Sequence, residues 1–283
     1  MTPVPVPSAP FGHRLHRAVA DKGQLCVGID PHPRLLADWG LEDTPAGLET
    51  FSQRVVESVA GCAAIVKPQV ALYERHGSAG LAVLEETLTA AAEAGVLTLA
   101  DAKRGDIGST MAAYADAWLR DGSSLAADAV TLSPFLGFGS LRPALDTARE
   151  SGRGVFVLAL TSNPEGASVQ HRGEPYSVAH RIVKDAAAEN EGLDRGSVGV
   201  VIGAATGEAL RRLSINPDRF NGPILAPGLG AQGATPADLA ATFGAGYGRV
   251  LASASRSVLA AGPGGQQLRE AAERLRDELR AQR

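Results

Sequence analysis

Cysteine is scarce in this chain: 283 residues carry two, Cys26 and Cys62. Neither belongs to a Cys-x-x-Cys pair and both lie in apolar surroundings, so two buried, reduced thiols are expected rather than a disulfide framework. Long apolar runs are missing as well. No stretch of about 18 apolar residues occurs, so no transmembrane helix is expected. The opening segment MTPVPVPSAPFGHRLHRAVA lacks the apolar core of a signal peptide. A soluble, cytoplasmic protein is expected, with no membrane partner. Charge of one sign is also lacking: 27 basic and 31 acidic residues leave a net −4, mixed along the chain. That argues against nucleic acid as a partner, which calls for a basic patch or tail. The six histidines show no metal-ligand spacing except His13-x-x-His16, which reads as a solvated helix face. There is no Gly-Lys pair for a P-loop, no Gly-x-Ser-x-Gly elbow and no His-Glu-x-x-His helix.

Glycine, by contrast, is abundant: 33 residues, where the usual frequency of about 7 % gives about 20. No Gly-X-Y period accompanies it, so the chain is not collagen-like. With 45 % apolar residues it is not disordered either. The surplus points to tight turns or to backbone that approaches a ligand closely.

Short, continuous apolar runs recur at 25–30, 64–69, 97–102, 129–134, 154–160, 199–204, 223–229 and 249–255. Continuous rather than alternating runs suit strands buried on both faces, hence a parallel sheet. Between them, 48–60, 79–95, 110–120 and 177–192 carry apolar residues at helical spacing. Gly61, Gly95 and Gly192 stand where helix C-caps belong. Eight strands, each followed by a helical segment at a mean interval of about 32 residues, predict an α/β fold, a single-domain (β/α)8 TIM barrel. A doubly wound sheet is the alternative, but the first strand ends in Asp30-Pro31-His32-Pro33 and not in a glycine-rich turn. Residues 1–20 read as an N-terminal arm and the start of a first helix, its proline-rich first ten residues loose and extended. Residues 21–283 read as the barrel, closed by a charged helix at 264–283.

In such a barrel the chemistry sits at the C-terminal ends of the strands. Those ends hold Asp30, Lys67, the run Asp101-Ala-Lys103-Arg-Gly-Asp106, Thr161-Ser162-Asn163-Pro164, Pro227-Gly228 and Ser255-Arg256. Lys67 alone could equally be a snorkelling lysine at a strand edge, and 101–106 alone a solvated charged loop. Together, Lys67, Asp101, Lys103 and Asp106 can form an alternating array of two ammoniums and two carboxylates, since Asp101 and Lys103 share one face of an extended strand. A lysine flanked by carboxylates has its ammonium form favoured, which suits it to donate a proton to a strongly basic carbon. Gly228, Gly230 and Gly233, with Arg256, fit a phosphate site. The same glycines match Gly-x-Gly-x-x-Gly, but no acidic residue follows about 20 positions later, which removes the dinucleotide reading. Arg104-Gly105-Asp106 also matches a cell-adhesion tripeptide, which has no role in a cytosolic barrel.

The segment Asp101-Ala-Lys103-Arg-Gly-Asp106-Ile107-Gly-Ser-Thr110 resembles the Asp-x-Lys-x-x-Asp-Ile-x-x-Thr signature of the orotidine 5′-phosphate decarboxylases. Val66-Lys67-Pro68-Gln69, Thr161-Ser162-Asn163-Pro164 and the run from Ala226 to Gly233 resemble the longer bacterial branch of that family. The resemblance implies that Lys67, Asp101, Lys103 and Asp106 are catalytic. It also implies a homodimer in which Asp106, Ile107 and Thr110 reach the partner's site. Asp30 would bind the ribose and Ser162 the pyrimidine, although Thr161 offers the same hydroxyl. Pro227 would pack near the base. Gln232 and Arg256 would grip the phosphate under a lid at 229–236. The implied reaction takes orotidine 5′-phosphate to uridine 5′-phosphate and CO2, in pyrimidine biosynthesis, with no metal and no organic cofactor. The alternative is a metal-dependent sugar-phosphate enzyme of the hexulose-phosphate synthase kind, which places a carboxylate where Lys67 stands.

Overall fold

The computed structural model describes residue 7, residues 9–230 and residues 233–283. The loose arm expected over the first ten residues therefore falls largely outside the described residues. Eight strands run β1 (Leu25–Ile29), β2 (Ile65–Pro68), β3 (Leu97–Arg104), β4 (Ala129–Leu132), β5 (Gly154–Leu160), β6 (Val198–Ile202), β7 (Ile224–Pro227) and β8 (Val250–Ala254). They pair in chain order as a closed parallel barrel, with β8 returning to β1. This is the (β/α)8 barrel that the spacing predicts.

Side-chain direction alternates along each strand, so the barrel has two apolar regions. Val27, Val66, Ala100 and Val130 point outward and pack beneath the ring of helices. Cys26, Ile65, Leu99, Ala129, Phe156, Val201, Leu225 and Leu251 form an apolar layer with Phe11 and Leu15 of the helix Phe11–Lys22. That helix plugs the barrel floor. Phe11 meets Phe156 edge-on, with ring centroids 6.0 Å apart. Gly154 makes the room, because a Cβ there would lie 2.2 Å from the Phe11 ring. Arg14 of the same helix pairs with Asp128, which also accepts the Thr98 N–H at 2.9 Å.

The outer helices begin and end for local reasons. Thr44 caps Pro45–Val59 by accepting the Gly47 N–H, and Thr235 with Asp238 forms a reciprocal capping box on Pro236–Phe243. Gly95 and Gly192 leave their helices in the left-handed region, at φ +68° and +76°. Gly61 does not: Ala60 ends its helix with right-handed helical angles, and Gly61 is absent from the left-handed glycines. The charged helix Gly265–Arg280 lies in the outer ring and buries Leu268, Ala271, Ala272 and Leu279. Both cysteines are buried and unpaired, and burial pushes the Cys26 thiol up to about 12. Among the described residues no helix is long and apolar enough to cross a membrane.

Candidate active site

One step up each strand from the apolar layer, the inward positions turn polar. Lys67 follows Ile65 by two residues, Asp101 follows Leu99, Thr131 follows Ala129 and Ser253 follows Leu251. These residues line a cavity of about 350 Å³ at the C-terminal mouth of the barrel. Asp30, Lys103, Ser162, Pro227 and Arg256 line it as well. The strand-end positions singled out from the sequence therefore converge, with the exceptions given below.

Asp101 is the hub. Its Oδ2 accepts from Lys67 Nζ at 3.0 Å and from Gln69 Nε2 at 3.1 Å. Its Oδ1 accepts from Lys103 Nζ at 2.6 Å and from Thr131 Oγ1 at 2.9 Å. Burial works against the Asp101 carboxylate, but the two ammoniums and their hydrogen bonds outweigh it and hold its pKa well below the usual range. Burial likewise works against the Lys67 ammonium. Asp101 and then Asp30 outweigh it and hold the lysine above its ordinary value. Lys67 is thus a buried, paired cation and not a snorkelling one.

Asp101 and Lys103 do meet, but not by regular strand alternation. Ala100 pairs with Val130 and Arg104 with Leu132, so three residues of β3 bulge opposite one of β4. Within the bulge Lys103 takes the left-handed region at φ +48°, uncommon for a residue with a side chain. Its N–H donates to Thr131 Oγ1 at 2.9 Å.

The rim supplies further polar groups. Asp30 Oδ1 is buried and has no hydrogen-bond partner among the described residues. Gly28 lets this corner close, because a Cβ there would lie 2.0 Å from Ser255 Oγ and 3.1 Å from Asp30 Oδ1. Thr161 and Ser162 both line the cavity. The Thr161 hydroxyl is committed to the loop: it donates to Asn163 Oδ1 at 2.6 Å and accepts from Gln170 Nε2 at 2.8 Å. Of the three glycines expected to offer N–H groups to an anion, Gly228 lines the cavity. The other two donate within their own loop, Gly230 to Ala234 at 2.8 Å and Gly233 to Gly230 at 2.9 Å. Gln232 lies outside the described residues.

Asp106 stands apart from the other three charged residues of the expected array. Asp106 does not line the cavity, and its carboxylate accepts the neighbouring Ile107 N–H at 2.8 Å. Thr110 is exposed and also away from the cavity. Strand β3 ends at Arg104, and Asp106 follows two residues beyond it. One chain therefore joins two ammoniums to one carboxylate.

The chain matches the model of the orotidine 5′-phosphate decarboxylase / HUMPS family over residues 23–271. It belongs to that family. An orotidine 5′-phosphate decarboxylase of Streptomyces coelicolor is 56 % identical over 274 residues, covering 96 % of this chain and 97 % of that one. One of Salinispora arenicola is 54 % identical at the same coverage. Among solved structures, OMP decarboxylase of Leishmania donovani superposes with a TM-score of 0.79 at 30 % identity, covering 96 % of this chain and 98 % of that one. The high identity to decarboxylases does not favour the metal-dependent sugar-phosphate alternative.

Within this family member, sequence reasoning passed over two donors to the hub, Gln69 and Thr131. Both stand at inward register positions, two residues beyond Lys67 and Ala129. That period-two placement is the signal that could have found them. Gln170, which fixes Thr161 from a helix nine residues on, left no comparable signal.

Proposed function

We propose that this chain decarboxylates orotidine 5′-phosphate to uridine 5′-phosphate. The observation that carries the reading is one carboxylate, Asp101, held between the ammoniums of Lys67 and Lys103 at the cavity floor. The bond from ring carbon 6 to the carboxyl group breaks, and CO2 leaves. The electron pair stays on carbon 6. The Lys103 ammonium stabilises that charge and then transfers a proton to the carbon. Its position needs no reorganisation as charge develops, which is where such electrostatic help is largest. Lys67 keeps Asp101 ionised and in place.

Asp30 accepts from the ribose through its unpartnered oxygen, Ser162 addresses the pyrimidine, and Pro227 packs near the base. Arg256 and Gln232 hold the phosphate, with the 229–236 loop closing over it. Binding the remote phosphate supplies energy to close the site. No metal and no organic cofactor enters the reaction. The working unit is a cytoplasmic homodimer in which Asp106, Ile107 and Thr110 complete the partner's array. Ile107 is 61 % exposed, and Phe135 and Leu136 on the adjoining β4 loop are 79 % and 54 % exposed, an apolar surface suited to a second copy.

The test is an ultraviolet assay of orotidine 5′-phosphate consumption by the purified protein, with and without chelator. Turnover in both conditions is expected. No turnover by folded protein would sink the decarboxylase reading; loss restored by magnesium would favour the sugar-phosphate alternative.

A further inference from the structure

We infer that Thr131 is a positioning residue for the reaction, acting through Asp101 and Lys103. Thr131 sits on β4, 1 % exposed, at the one position that faces the three-residue bulge of β3. A bulge leaves an N–H without its ladder partner, and a buried N–H without a partner is costly. The Thr131 hydroxyl fills that gap by accepting the Lys103 N–H at 2.9 Å. Accepting there fixes the direction of its own proton, which it donates to Asp101 Oδ1 at 2.9 Å. One hydroxyl therefore ties the main chain of the proton donor to the carboxylate that its ammonium contacts.

The tie matters because both ends need holding. Lys103 is in the left-handed region at φ +48°, which a side-chain-bearing residue keeps only where its surroundings enforce it. The carboxylate offers about four acceptor sites, and here they are filled from three directions. Lys67 comes from β2 and Gln69 from the residue just beyond it, Lys103 from β3 itself, and Thr131 from β4. Without the β4 donor, Asp101 is free to rotate toward β2, and the Lys103 backbone is free to leave its bulge. Either motion moves the ammonium away from the reacting carbon. A displacement of about 1 Å is enough to cost on the order of 100-fold in rate. The residues assigned to the ribose and the phosphate, Asp30 and Arg256, follow β1 and β8 and not β3 or β4, so the loss falls on kcat.

The inference rests on the decarboxylase reading, and the same assay separates the two. Thr131→Val keeps the branched shape and removes both hydrogen bonds, while Thr131→Ser keeps the hydroxyl. Thr131→Val is expected to lower kcat by about 100-fold with KM within about threefold, and Thr131→Ser to stay within about fivefold of the unsubstituted enzyme. Thr131→Ala is the second hydroxyl-free variant, read by the same criteria where the valine variant does not fold. Three results would overturn the role: hydroxyl-free variants that keep kcat within about threefold, a serine variant that falls as far as valine, or a loss confined to KM. An inactive unsubstituted enzyme would instead overturn the decarboxylase reading itself.

Discussion

Lys103 and Asp101 form an ion pair that is closed at one end and open at the other. Their charged atoms are 2.6 Å apart, yet the Lys103 side chain is 47 % exposed and that of Asp101 is 9 % exposed. The carboxylate is anchored in the barrel, while the ammonium faces the cavity where a substrate would lie. Lys67, on the other oxygen, is buried and cannot present a proton in the same way.

Lys103→Ala should therefore abolish turnover while leaving the fold intact. General acid catalysis contributes about 10²–10⁴-fold, and electrostatic stabilisation of the developing carbanion adds to it. The expected fall in kcat is about 10⁴-fold or more. Turnover is measured by ultraviolet absorbance and folding by circular dichroism. Substantial remaining activity in a folded variant would remove Lys103 as the proton donor.

Asp101→Asn should test the buried pair through its pH dependence. The Asp101 pKa is held down in the folded state, so its stabilisation is present above the unfolded value of about 3.9 and fades as pH falls toward the folded value. The Lys67 pKa is held up, so its contribution is present below about 10.4 and is lost as pH rises through the folded value. Asparagine leaves Lys67 buried without its main partner, which costs about 3–5 kcal/mol near neutrality. Burial then dominates and favours neutral Lys67, so the stability gap to the unsubstituted protein should narrow as pH is raised. Denaturant unfolding between pH 6 and pH 10 measures it; a gap that does not narrow would show that Lys67 is not the uncompensated charge.

The strands were legible because burial on both faces demands continuous apolar runs, and a charged residue inside such a run stands out. Lys67 and Asp101 were found that way. Thr131 and Gln69 are uncharged, and an uncharged polar residue in a strand carries no signal until its inward register is known. Charge alternation along 101–106 says nothing of where the chain goes after Arg104, so it does not show that Asp106 stands away from its own cavity. The bulge that brings Lys103 to Asp101 was hidden too, since it depends on pairing with β4 and not on local spacing.

If Ser162 bonds the pyrimidine as proposed, Ser162→Ala should lower kcat/KM by about 10-fold or more, the worth of one such hydrogen bond. Thr161→Val removes a hydroxyl that is tied to Asn163 and Gln170 within the loop. It should lower stability by about 1 kcal/mol and reduce activity less than the serine variant does. The comparison uses steady-state kinetics and thermal unfolding of both variants. The reverse order of activities would assign the base contact to Thr161.

Phe11→Ala should destabilise the barrel by about 3–5 kcal/mol, since the ring fills the barrel floor. Gly154→Ala should also destabilise, because the added Cβ would lie 2.2 Å from that ring. The two effects should not add. With Phe11 already truncated, the alanine at 154 has room, and its own penalty should largely disappear. Urea unfolding of the two single variants and the double variant closes the cycle. Additive penalties would mean that Gly154 is required for some reason other than the Phe11 ring.

If Asp106 acts across subunits, two inactive variants should restore each other. A mixed dimer of Lys103→Ala and Asp106→Ala has one site with both defects and one site with neither. In an equal mixture half the dimers are mixed, so about a quarter of the original sites should work. The position of Asp106, away from its own cavity, is what motivates the experiment. Activity is followed after mixing, with subunit exchange verified by mass-tagged protomers. Recovery that tracks exchange would place Asp106 in the partner's array. Exchange without recovery would leave the site complete within one chain, and the exposed Ile107, Phe135 and Leu136 would then need another explanation.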